Sequence, residues 1–225
     1  MMPVLLSIET STQVCSVALH KGNTLLAEFK VAEEKSHSKL LTHFIDAIVK
    51  DCGIELAEVD AFAVSKGPGS FTGLRIGVST VKGLCFALDK PLIAVNTLQA
   101  MAWTVNNLNT DKHYVCPMLD ARRMEVYSAI LDAESNFIKE TEAVIVDEDS
   151  FKDVLENHKI IFCGNGMAKC KNTLEKYANA LFMDNINPLA NSIGVLAYSK
   201  FLKKEFENLA YFEPFYLKDF YTKAS

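Results

Sequence analysis

Apolar residues fall into short runs at the start of the chain and into helix-spaced sets further on. Val4 to Ile8, Val14 to Leu19 and Leu25 to Phe29 predict three strands, and Lys21-Gly22-Asn23 joins the last two as a hairpin. A helix is expected from about Ser36 to Cys52, with serines at its N-cap and Gly53 placed to end it. Ala61 to Ser65 reads as a short strand running into Lys66-Gly67-Pro68-Gly69-Ser70, and Phe71 to Leu88 as a second long helix. Pro91 to Val95 is a strand, and Thr97 to about Asn106 a helix opened by a Thr cap. The polar, turn-rich stretch from Asn106 to Asp111 marks the expected domain boundary, giving units 1–105 and 106–225.

The second half starts as the first did. Val115 to Leu119 is a strand ending on Asp120, and Met124 to Leu131 is a strand after a basic turn. LLSIETSTQVCSVAL and VCPMLDARRMEVYSAI each run apolar to an acid, Glu9 or Asp120, turn through polar residues and return as a strand. The parallel points to duplication of a hairpin-led α/β unit. Lys159 to Cys163 leads through Gly164-Asn165-Gly166 into a helix, Asn191 to about Asn208 is an amphipathic helix, and Tyr211 to Phe220 is an aromatic tail.

Both N-terminal helices carry more apolar surface than their own core needs. Leu40, Leu41, Phe44, Ile45, Ile48, Val49 and Cys52 spread over roughly 180° of the first, where about 100° suffices. On the second, Leu74, Val78, Val81, Cys85 and Leu88 form one stripe, and Gly73, Gly77, Thr80, Gly83 and Ala87 a separate small-residue face. Helical glycines each cost on the order of 1 kcal/mol relative to Ala, so another backbone is expected to approach them. That backbone belongs either to this chain or to a second subunit. The excess apolar surface favours a second subunit, so Leu41, Ile45, Val49, Gly73, Gly77, Thr80 and Gly83 are the expected partner face.

The 225 residues are 49% apolar and 23% charged, which excludes disordered and fibrous classes. With 23 basic and 28 acidic residues the formal charge is −5, too acidic for a broad nucleic-acid-binding surface. No apolar run is expected to span a bilayer, which takes roughly 18 residues, and the N-terminus lacks the basic start of a signal peptide. Cys15, Cys52, Cys85, Cys116, Cys163 and Cys170 lie far apart, mostly in apolar segments, and are expected to be free thiols in a reducing cytosol. CxxC, HxxxH and HExxH are absent, so no metal site is expected.

Two glycine loops and one basic turn are the candidate chemistry. Gly67-Pro68-Gly69-Ser70-Phe71-Thr72-Gly73 follows a strand and opens a helix, the setting for phosphate binding. It is neither a Walker A loop nor the dinucleotide fingerprint. From spacing alone a tight turn with Ser70 as N-cap is favoured. Gly164-Asn165-Gly166 reads as a turn, and Asp120-Ala121-Arg122-Arg123 as either an anion contact or a turn with an internal ion pair. No catalytic triad, dyad or zinc motif supports a peptidase.

LLSIETSTQVCSVALH, SHSKLLTHFID, SKGPGSFTGLRIGVSTVKGL and MLDARRMEVYSAI, in this order and spacing over roughly residues 4–131, resemble the TsaB (YeaZ) family. Glu9 stands where many members have Asp. The resemblance implies an α/β fold of the actin, sugar kinase and Hsp70 (ASKHA, RNase H-like) class with duplicated domains. It also implies a cytoplasmic, non-catalytic scaffold for adding threonylcarbamoyl to N6 of the adenosine next to the anticodon, in tRNAs reading codons that begin with A. The implied partners are a TsaD-like paralogue that performs the transfer and a TsaE-like ATPase, with TsaC supplying threonylcarbamoyl-adenylate. Without TsaD the chain is expected to form a homodimer, and tRNA to be met only within the complex. No cofactor and no catalytic residue is implied. Degenerate nucleotide loops would lie at Glu9, Thr10, Ser11, Gly67, Gly69, Ser70, Asp120, Arg122, Gly164 and Gly166. The alternative is a nucleotide-using enzyme of the same fold whose GPGS and GNG loops contact phosphate and adenosine.

Overall fold

The computed structural model describes residues 2–32 and 37–218. They form two units, one made of Met1–Thr97 with Pro188–Ser225 and one of Leu98–Asn187.

The first unit holds a five-stranded mixed sheet in the order β3-β2-β1-β4-β5, from β1 (Val4–Glu9), β2 (Val14–Lys21), β3 (Thr24–Ala32), β4 (Ala61–Gly67) and β5 (Leu92–Asn96). β1, β2 and β3 are antiparallel, whereas β4 joins β1 and β5 in parallel through helical crossovers. Both faces of β1, β4 and of the edge strand β5 are buried, which is why these three read as nearly continuous apolar runs. Leu6, Ile8, Val17, Leu19, Phe62 and Val64 face α1 (His37–Asp51) and α2 (Phe71–Leu88). The alternate residues Leu5, Ser7, Ala18, His20, Ala61 and Ala63 are fully buried on the other face. That face is covered by the last helix, α6 (Ala190–Leu202).

The second unit repeats the plan. β6 (Tyr114–Asp120), β7 (Glu125–Leu131), β8 (Phe137–Ile145), β9 (Ile160–Cys163) and β10 (Ala180–Met183) are ordered β10-β9-β6-β7-β8, the first sheet's order read strand for strand. Cys116, Met118, Val126 and Phe162 pack with α4 (Lys152–Leu155) and α5 (Met167–Leu174) on one face. Val115, Leu119, Ala129 and Cys163 pack with α3 (Thr97–Asn106) on the other. The suspected duplication is therefore an architectural fact.

The expected boundary at 105/106 is corrected at both ends. Leu98, Met101, Ala102 and Val105 of α3 are core residues of the second sheet, so that unit opens at residue 98. From residue 188 the chain returns to the first unit, where Ser16 Oγ accepts the Ala190 N–H at 2.9 Å and a Glu28 carboxylate oxygen the Asn191 N–H at 2.9 Å. The Asn106–Asp111 stretch is a bonded turn within the second unit. Asn106 Nδ2 donates to the Asp132 carbonyl, and Asn109 Nδ2 to the His113 carbonyl.

Gly53, left-handed at φ 63°, ends α1 as expected. The serine cap expected at Ser36 and the tail beyond Lys218 lie outside the described residues. α6 stops at Leu202 rather than Asn208, because Lys204 is left-handed and the Glu205 N–H returns to the Lys200 carbonyl at 3.0 Å. Among the described residues α2, 18 residues long, is the one helix long and apolar enough to cross a membrane, which the sequence did not lead us to expect. Its contacts make it a core helix of the first unit.

Candidate functional site

The first glycine loop closes against the turn that follows β1. Ser70 caps α2, its Oγ accepting the Gly73 N–H at 3.3 Å, while the Ser70 N–H donates to the Ser11 carbonyl at 2.6 Å and the Leu74 N–H to the Ser70 carbonyl. A β-carbon on Gly69 would stand 2.5 Å from the Ser11 carbonyl oxygen. Thr10 Oγ1 donates to the Gly73 carbonyl at 2.8 Å. His37 Nε2, at the start of α1, bonds the Thr12 carbonyl at 2.8 Å. The Ser70 and Gly73 N–H groups are thus engaged within the chain.

Glu9 ends β1 wholly buried, with Oε1 accepting the Ser11 N–H at 2.5 Å. Burial pushes its carboxyl above the ordinary range, partly offset by the Ser11 hydroxyl and N–H, the Ser65 hydroxyl and the Thr10 N–H. Cys15, on β2, is pushed up to about 11 by burial and by Glu9.

The second unit repeats this contact with different chemistry. The Asp120 N–H donates to Asn165 Oδ1 at 2.9 Å, and the Gly166 N–H to the Met118 carbonyl at 3.0 Å. Gly164 is left-handed, with the Met118 carbonyl against it, and a β-carbon on Gly166 would meet the Asp120 backbone nitrogen at 3.0 Å. Burial pushes the Asp120 carboxyl up, but the Lys169 hydrogen bond, the Arg122 N–H and both residues' charges outweigh it and hold it below its ordinary range.

The structure divides the expected partner face. Leu41, Ile45 and Val49 are 1%, 5% and 6% exposed and belong to the first unit's core, so they offer no open surface. α1 shows solvent Ser38, Lys39, Thr42, His43, Asp46 and Lys50 instead. Gly73 and Gly77 face Thr10, whose carbonyl and Oγ1 lie where their β-carbons would be. The backbone expected to approach them is this chain's own.

α2 is held on three sides. Its core stripe packs on the sheet, and Thr10 fills its glycine notch. On the opposite flank the C-terminal tail lies along it. Lys82 Nζ donates to the Phe212 carbonyl at 2.9 Å, Arg75 Nε to the Tyr216 hydroxyl at 3.4 Å, and the Phe71 and Tyr216 rings stand 4.8 Å apart. The tail is anchored where the Phe215 N–H meets the Lys66 carbonyl at 2.7 Å and the Phe215 carbonyl lies 2.7 Å from a Gly67 β-carbon position.

One strip remains. Gly83 lies about 120° around the helix from Gly77, and a β-carbon there would meet nothing within 4 Å. Ser79 and Ala87 are exposed beside it, Thr80 is half-buried with its hydroxyl returned to the Ile76 carbonyl, and Phe86 is 83% exposed. Sequence reasoning missed Phe86. The available signal was an aromatic falling outside both the core stripe and the glycine flank.

The family model for TsaD, tRNA N6-adenosine threonylcarbamoyltransferase, matches residues 30–224. The chain is 32% identical to the tRNA threonylcarbamoyladenosine biosynthesis protein TsaB of Haemophilus influenzae, covering 96% of this chain and 93% of that one. It superimposes on YeaZ from Pseudomonas aeruginosa with a TM-score of 0.85 at 27% identity, covering 96% of this chain and all of the other. The activator of the 2-hydroxyisocaproyl-CoA dehydratase from Clostridium difficile matches with a TM-score of 0.51 at 9% identity over 91% of this chain and 98% of that one, a likeness of fold alone. The fold is α/β, of the actin, sugar kinase and Hsp70-like class.

Proposed function

Because the chain belongs to the TsaB family of tRNA threonylcarbamoyladenosine biosynthesis proteins, we propose that it is the non-catalytic scaffold subunit of that pathway. In this reading it pairs with a TsaD-like threonylcarbamoyltransferase and helps recruit a TsaE-like ATPase in the cytosol. The product is threonylcarbamoyl on N6 of the adenosine next to the anticodon in tRNAs reading codons that begin with A.

The observation that carries the proposal is the open strip of α2. Phe86 holds a large aromatic surface in solvent beside Gly83, Ala87 and Thr80. Buried aromatics are the residues that anchor interfaces, and a small-residue floor lets a partner helix come close. Alone, the same strip on two copies would form a symmetric pair, since a two-fold axis brings identical surfaces together. The scaffold role is supported by the loops. Asp120 is engaged with Lys169, and the N–H groups of Ser70 and Gly73 are engaged within the chain. Six free thiols are in keeping with a reducing compartment.

Phe86→Asp tests the reading. The variant is expected to melt like the parent and to lose co-purification with the TsaD-like protein, dimerisation of the free chain and support of tRNA modification together. Undiminished co-purification would remove this strip from the interface.

A further inference from the structure

The acid and the two arginines of the β6–β7 turn have different fates. The Asp120 carboxylate accepts from the Lys169 ammonium and, at 2.9 Å, from the Arg122 N–H. Lys169 also donates to the Glu125 carbonyl at 2.7 Å. The internal ion pair of this turn is made by Lys169 of α5, and among the described residues no ion pair engages the guanidinium of Arg122 or Arg123. Both arginines are left-handed, at φ 72° and 50°, a region that favours glycine. The turn's backbone therefore gives no reason for arginine at either position. The Ala121 N–H to Glu125 carbonyl bond at 3.0 Å and the Glu125 N–H to Arg122 carbonyl bond at 3.1 Å close the loop and fix where they emerge.

We propose that the Arg122–Arg123 tip is a contact for tRNA backbone phosphates, resting on the scaffold reading above. Guanidinium groups match phosphate oxygens in a two-bond fork. Arg122, Arg123 and Met124 are consecutive exposed residues at a hairpin end, which suits an extended polyanion, whereas a free nucleotide needs concave walls. The neighbouring turn carries Asp147, Glu148 and Asp149, reached through the Val146 N–H to Met124 carbonyl bond at 3.1 Å. Glu148 and Asp149 pair with Lys176 and Lys152, and the acids limit the contact to about the two phosphates the tip can reach. Such a contact fits a chain whose overall charge is −5 and which meets RNA as one part of a larger assembly.

The test is tRNA binding by fluorescence anisotropy over a salt series, on the chain alone and on the chain with its TsaD-like partner. Arg122→Ala/Arg123→Ala is expected to weaken binding and to reduce the slope of log K against log salt by about 1.4 to 1.8, at roughly 0.7 to 0.9 per lost phosphate contact. Arg122→Lys/Arg123→Lys should keep most of the slope, and both variants should melt and co-purify like the parent. An unchanged slope in the alanine pair, on the chain alone and with the partner, overturns the proposal. So does ATP at millimolar concentration erasing the difference between parent and variant, which would make the ligand a free nucleotide. A parent chain that fails to co-purify with the partner overturns the scaffold reading and this proposal with it, whereas an unchanged slope beside a parent that does co-purify overturns this proposal alone.

Discussion

The backbone carbonyl of Thr10 occupies the place where a β-carbon on Gly73 would stand, so the β1–β2 turn and α2 meet backbone to backbone. Gly73→Ala is therefore expected to destabilise the free chain by about 1 to 3 kcal/mol of overpacking, less a helix-propensity gain of somewhat under 1 kcal/mol. Gly77→Leu, against Thr10 Oγ1 and Val64, should do the same. Urea midpoints read both, and any loss of partner binding should follow the folded fraction.

Gly83→Ala reverses the sign. With open space around its β-carbon, only the propensity term acts, a gain of up to about 1 kcal/mol. A higher urea midpoint for this variant beside a lower one for Gly73→Ala would show that the small-residue positions of α2 have two different roles. Equal destabilisation of both would contradict the assigned packing.

Glu9 makes stability depend on pH from inside the fold. Its folded pKa is raised, so the native state holds the proton more tightly than the unfolded chain. That contribution is complete below the unfolded carboxylate range and is lost as pH rises through the folded value. Glu9→Gln keeps an oxygen for the Ser11 N–H and removes the titration. The variant should match the parent near pH 4 and be the more stable of the two at pH 8, the gap opening as the parent's buried carboxyl is forced to ionise. Urea midpoints across this range measure it, and parallel stability curves would exclude a raised Glu9.

His20 acts in the opposite direction. Its ring is buried against Gly194 of α6, Nε2 lies 3.1 Å from Asn191 Oδ1, and Nδ1 has no hydrogen-bond partner among the described residues. Burial lowers its pKa, partly offset by Asn191. The unfolded chain then takes up the proton first, and stability falls as pH drops below the ordinary histidine value of about 6.5. His20→Gln should flatten the loss between about pH 6.5 and 5, measured by thermal melts across that window.

What could be read without coordinates was whatever neighbouring residues decide among themselves. Ser70 as the N-cap, Gly53 as the stop of α1 and the Lys21-Gly22-Asn23 turn all act through local backbone chemistry. β8 escaped because Lys139, Glu140, Thr141 and Glu142 give a half-exposed edge strand little apolar signal, and β10 because four residues are too short for a period. A helical wheel places Gly73, Gly77 and Gly83 on one broad small face. Only the position of Thr10 separates them, and Thr10 is more than sixty residues away in sequence. The assignment of α6 to the first sheet has the same origin, since its stripe fits either sheet and partners such as Ser16 and Glu28 choose between them.

That return of the chain to its first sheet has a consequence during synthesis. The second unit is continuous, from Leu98 to Asn187, and has all its strands once β10 has left the ribosome. The first unit, although translated earlier, must wait for α6 to cover the face that carries Leu5, Ala18, Ala61 and Ala63. Until then its sheet shows one bare apolar side, the kind of surface by which nascent chains aggregate or are held by chaperones. A product truncated before Ala190 would be left in that state, its second unit complete and its first unit open.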